Sequence, residues 1–195
     1  MQTNLKIRHS ANGISLLLVL FMIAGVPGFG QRGSTETIDA TAFGTSTQMG
    51  RNFGVKLIIY EFSAPEDRDV LVQAFAKGQN EGLVNALEKM KAVGRITIPG
   101  TLGYDVSFIR EIITPTGRTI RFVTNRKIAF GESYWDTQTK SFGLTAGEII
   151  LNDSDKSKSA GTLFPAAQLI VNKEGELQFE LNQNAWRLTN IIEWK

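Results

Sequence analysis

The sequence predicts an α+β, predominantly β, fold: an antiparallel meander or barrel-like sheet of about eight strands, with a two-helix insertion after an early strand. Three observations predict it. Apolar residues alternate with period two in Phe53–Phe62, and strand-like runs recur from Arg95 to the end. Helical periodicity is confined to the stretch between them. Two turn sequences carrying Pro, Asn and Gly join neighbouring runs as hairpins.

Along the chain, Thr37–Phe43, inside a Thr-, Ser- and Gly-rich segment spanning 31–52, alternates enough for a first strand, with a mobile tail as the alternative. In Phe53–Phe62, Val55, Leu57 and Ile59 mark one face, and Lys56, Ile58 and Tyr60 the other. Ser63-Ala64-Pro65-Glu66 reads as a capping box, with the Ser63 hydroxyl and the Glu66 carboxylate satisfying first-turn donors. Glu66, Asp67 and Asp69 complement the positive helix end. The stripe Val70, Leu71, Ala74, Phe75 ends at Lys77-Gly78, a C-cap signal. A second stripe, Leu83, Val84, Leu87, Met90, runs to Gly94. Two short helices with one apolar face each suit a lid packed against a sheet.

In Tyr104–Asn125 the turn Thr114–Arg118 places Pro115 and Gly117 where their backbone preferences fit. Charge favours the register with Glu111 opposite Arg121 and Ile112 opposite Ile120, over one that sets Arg110 against Arg121. The turn Asn172–Glu176 puts Val171 opposite Leu177 and Leu169 opposite Phe179. Gly147–Leu151 and Thr162–Phe164 flank a charged tip. Trp186–Trp194 is a last strand, whose two tryptophans share a core face if it is continuous. No internal repeat occurs, and residues 53–195 are expected to form a single β-rich domain.

Residues 1–30 read as a cleavable signal peptide. Lys6 and Arg8 precede Ile14–Val26, which is apolar or small apart from Ser15; Pro27–Gly30 breaks the helix, and Gly28 and Gly30 suit cleavage near Gly30/Gln31. The apolar run is shorter than the roughly 20 residues a span requires. The mature protein is therefore expected in the periplasm or secreted, without a transmembrane span. The 21 Lys and Arg include Lys6 and Arg8, and all 19 Asp and Glu follow Gly30, so the mature chain is formally neutral. It lacks the electrostatic footprint of a nucleic-acid binder. With no cysteine, its stability must come from a core burying about 70% of the unfolded surface. An exported chain without disulfides points to a bacterial source.

His9, the one histidine, lies within the leader. This excludes from the mature chain Ser-His-Asp and Cys-His catalysis, His- or Cys-ligated zinc, haem and iron–sulfur clusters. Neither metal nor cofactor is expected. No Ser-x-x-Lys occurs, and Thr137 with Lys140 lies in a loop-like stretch. The run Asn152–Ser159 superficially resembles a calcium loop, but Lys158 replaces the required glycine and Phe164 the bidentate acid, so a solvated tip is expected. Paired-carboxylate glycan hydrolysis needs only two acids. Glu61, Asp105, Glu111, Glu132, Asp136 and Glu148 stand near strand ends. In Glu132–Asp136, Tyr134 and Trp135 beside two acids can stack on a sugar, clasp an apolar ligand, or simply cover the core edge. Arg126 can neutralise an anionic group. Arg126, Glu132, Tyr134, Trp135 and Asp136 are the candidate ligand-binding residues.

Leu57–Tyr60, Ala86–Met90 with Val93–Ile96, Gly161–Ala167 and Arg187-Leu188 are similar to stretches of a group of uncharacterised exported bacterial proteins of comparable length. That resemblance implies export; it carries no activity, ligand or site residues. The expected function is a non-enzymatic exported protein that binds a small apolar or glycan ligand, or an envelope partner, at the mouth of a β-rich domain. The alternatives are a carboxylate-dependent hydrolase acting on envelope glycans and a structural or assembly factor of the envelope. Oligomeric state is open.

Overall fold

A computed structural model describes residues 35–128, 142–171, 173, 177–181 and 184–195. The leader and four of the five candidate ligand-binding residues, Glu132, Tyr134, Trp135 and Asp136, lie outside them. The elements run β1 (Glu36–Phe43), β2 (Asn52–Ile59), α1 (Pro65–Lys89), β3 (Gly94–Thr97), β4 (Tyr104–Thr114), β5 (Gly117–Thr124), β6 (Leu144–Asn152), β7 (Ala160–Val171), β8 (Leu177–Leu181) and β9 (Trp186–Trp194). Strands β1 to β7 pair antiparallel in chain order, and β9 joins β7 back to β1. The result is a closed antiparallel barrel of eight strands. Strand β8 stands outside the ring, paired with Ala167–Val171. Closure leaves no open edges on the ring itself.

Alternation determines what the barrel holds. Ile38, Ala40 and Ala42 of β1, Val55, Leu57 and Ile59 of β2, Ile120 and Phe122 of β5, and Trp186 and Leu188 of β9 meet in one buried cluster. Phe122 lies so close over Gly147 that any Cβ at that glycine would overlap its ring. An eight-stranded barrel is just wide enough for side chains to fill it, and here large apolar side chains take that space.

A single helical element replaces the anticipated two-helix insertion. Its backbone leaves helical geometry at Gln79 (φ 50°, ψ −138°), where the chain bends sharply. Gly82 lies against the Ala74 carbonyl with no room for a Cβ. Leu83 and Leu87, with Leu71, Phe75 and Val84, pack on Phe108, Val123, Leu144 and Leu169, outside the barrel. The helix therefore covers part of the wall. The first-turn cap also differs from expectation. Pro65 takes the first helical position, where its missing N–H costs nothing. Asp67 accepts from the Ala64 N–H at 2.8 Å, and Ser63 Oγ accepts instead from Ile109 N–H on β4 at 3.0 Å.

Two further expectations are corrected. The β4–β5 register sets Arg110 against Arg121 and Glu111 against Ile120. Burial decides it: this register brings Ile109 opposite Phe122, both inside the barrel. Arg121 finds its counter-charge on the other side, donating from Nε to Glu148 of β6 at 2.5 Å. In β9, Trp186 is buried and Trp194 is 56% exposed. A bulge interrupts the alternation of the strand; Asn190 adopts φ 50° and the register with β1 shifts between Asp39 and Thr41, turning the last residues over. Leu169 opposite Phe179 and Val171 opposite Leu177 are as expected. Among the described residues no helix is long and apolar enough to cross a membrane.

Candidate functional site

The barrel has two ends of different chemistry. At one, where β1 begins and β9 finishes, the inward position of β5 is Arg118 rather than an apolar residue. Its guanidinium donates to Glu111 of β4 at 2.6 Å and, through Nη2, to both Glu36 of β1 and Glu193 of β9. In the closed ring β5 stands opposite β1 and beside the neighbour of neither β9 nor β1, so one side chain ties the far walls together. Arg118, Glu36 and Glu193 side chains are 11%, 12% and 10% exposed. Lys195 and Lys156 approach Glu193 at 3.3 and 3.6 Å from outside.

Burial opposes charge on both sides of this network. For Arg118 the three carboxylate hydrogen bonds outweigh it and hold the guanidinium above its ordinary range. For Glu193 burial pushes the carboxyl up, but the hydrogen bond and charge of Arg118, joined by Lys195, prevail and hold it below its ordinary value.

The other end is aromatic and hydroxyl-rich. Phe53 and Trp186 pack with ring centroids 4.8 Å apart. The turn after β1 tucks Gln48 in, 3% exposed, where it accepts from Arg51 at 3.1 Å. Thr45 donates to the Ala185 carbonyl at 2.5 Å, fastening this turn to the approach of β9. Beneath lies a buried pair. Thr145 Oγ donates to the Pro165 carbonyl at 2.5 Å and accepts from Ile128 N–H at 2.6 Å, while Thr124 Oγ accepts from Thr145 N–H at 3.2 Å. Arg126 sits here, exposed, its guanidinium carbon 5.7 Å from the Tyr104 ring centroid. That is cation–π distance. The structure thus places Arg126 against Tyr104, a partner the sequence did not suggest.

The described acids near strand ends are each engaged by a cation. Glu61 accepts from Lys91 at 2.6 Å, Asp105 from Arg95 at 3.2 Å, Glu111 from Arg118 and Glu148 from Arg121. Among the described residues no three acidic, histidine or cysteine side chains group to hold a metal. The charged tip closes on itself, with Asp155 accepting from Ser157 N–H at 3.1 Å and Oγ at 2.6 Å.

Clefts also open on the outside of the barrel among the described residues. A groove of about 480 Å³ lies over Gly54, between Asp39, Lys56 and the Pro99–Thr101 turn. A larger one, about 660 Å³, opens at the bend of α1, against the start of β6 and the last residues of β7. Its back wall is secured by Asn80, which donates to the Leu169 carbonyl at 2.5 Å and accepts from Leu169 N–H at 2.7 Å. Sequence reasoning missed both the Arg118 network and this cleft, because each is assembled from residues far apart in the chain. No family model, no curated protein and no solved structure matches this chain.

Proposed function

We propose that this chain is an exported, non-catalytic binding protein, periplasmic or secreted after loss of its leader. Its barrel is a scaffold, and its ligand or envelope partner is engaged on the outside. The observation that supports an outside site rather than an enclosed one is the filled interior, where apolar side chains pack to the point that Phe122 rests on Gly147.

The network at the charged end supports the same reading over a carboxylate-dependent glycan hydrolase. A general acid works from a carboxyl held above its ordinary value, whereas Glu193 is held below. Glu36, Glu111 and Glu193 each give one oxygen to Arg118. An envelope assembly role keeps one observation in its favour, the exposed Ile192 and Trp194 on the outer face of β9. The test is incubation of the purified chain with a panel of envelope glycans, followed by mass analysis of products. Intact glycans are the expected result. Cleavage that disappears in Glu111→Gln would overturn the reading.

A further inference from the structure

Of the amide side chains around the bend of α1, Asn80 and Gln168 are tied to the sheet, while Gln79 and Asn85 make no hydrogen bond among the described residues. We infer that the 660 Å³ cleft there is a binding site for an uncharged glycan, an inference that rests on the binding-protein reading and gives it a site and a ligand class. Four amide residues, Gln79, Asn80, Asn85 and Gln168, line it with one carboxylate, Glu81. With Asn80 and the Gln168 NH2 engaged within the protein, the side chains of Gln79 and Asn85, the Gln168 oxygen and the Glu81 carboxylate offer donors and acceptors side by side, which is what a sugar's hydroxyls need, since each both donates and accepts. Neither Lys nor Arg lines the cleft among the described residues. That disfavours phosphate, sulfate or carboxylate ligands, which are recognised through cations.

The cleft is built rather than incidental. Asn80 is committed to Leu169 by two hydrogen bonds, and Gln168 donates to Glu180 on β8 at 2.5 Å, so the back wall is fixed. Glu81 and Asn85, four residues apart on the helix and both exposed, face the opening and have no hydrogen-bond or ion-pair partner among the described residues. Gly143 forms the floor; a Cβ there would come within 2.9 Å of Val84. Gln79 holds φ 50°, ψ −138°, a conformation costly to any residue with a side chain. Glycine would adopt it freely. The strained backbone places the Gln79 side chain in the lining of the cleft.

The test is titration of the intact mature chain with chitotetraose, cellotetraose and maltotetraose, with a sulfated heparin tetrasaccharide as the anionic contrast. Binding is read by calorimetry and by the Asn and Gln side-chain amide signals in NMR. At least one neutral tetrasaccharide should bind saturably and shift the signals of Gln79, Asn85 and Gln168. Glu81→Leu and Asn85→Leu, on an exposed helix face, should keep the fold and weaken binding at least tenfold. Gln79→Gly should raise the melting temperature while weakening binding, a split that a purely structural residue would not give. Failure of all three neutral sugars to bind, or preference for the sulfated one, overturns the inference. So does binding that the two leucine variants leave unchanged, although the binding-protein reading then stands. Cleavage of a sugar during the titration overturns that reading instead.

Discussion

Arg118 shows how one residue can join distant parts of a chain. Its partners Glu36 and Glu193 lie 82 and 75 positions away, on strands across the ring. Removing the guanidinium leaves carboxylates facing one another in a half-dry mouth. Arg118→Met is therefore expected to cost about 3–5 kcal/mol, the range for breaking a buried pair from one side, measured by urea denaturation at neutral pH. The pH dependence has a definite sign. Glu193 titrates lower in the folded chain than its ordinary 4.5, so its contribution is complete above that value and is lost as pH falls through the folded one. The stability gap between the native chain and Arg118→Met should close on acidification; a gap that widened would contradict the network. None of this was legible locally. Glu111 was visible as an acid near a strand end, but nothing near Arg118 in sequence announces Glu36 or Glu193.

At the scale of elements, what the sequence revealed follows from burial, and what it hid follows from irregularity. Val55, Leu57 and Ile59 were readable as an inward face because alternation is a local property. The β4–β5 register was misread because Glu111 opposite Arg121 looks favourable as a pair, worth well under 1 kcal/mol. Aligning Ile109 with Phe122 inside the core outweighs it. The bulge at Asn190 has no such signal, so Trp194 was placed inside. Of the five candidate ligand-binding residues, Arg126 lies exposed over Tyr104, and the other four fall outside the described residues. Helix attachment makes a separate prediction. Asn80 satisfies both backbone groups of Leu169, so Asn80→Ala should cost about 1–3 kcal/mol and speed hydrogen exchange around Leu169. Unchanged exchange there would mean that α1 is held by Leu83 and Leu87 alone.

For the whole molecule, the barrel is closed by β9 returning to β1, and its middle is occupied by side chains. Gly147→Ala should destabilise by about 1–3 kcal/mol through overlap with Phe122, with partial rescue by Phe122→Leu. Closure also accounts for a stable fold without disulfides, since long-range strand pairing takes the part that crosslinks play in smaller secreted domains. The most direct test of a filled scaffold is Ala42→Phe, which adds a ring at a fully buried inward position. A drop in the denaturation midpoint, equivalent to about 1–3 kcal/mol, is the predicted result. A midpoint that stayed level or rose would mean the barrel encloses open space, and a ligand chamber would replace the solid core.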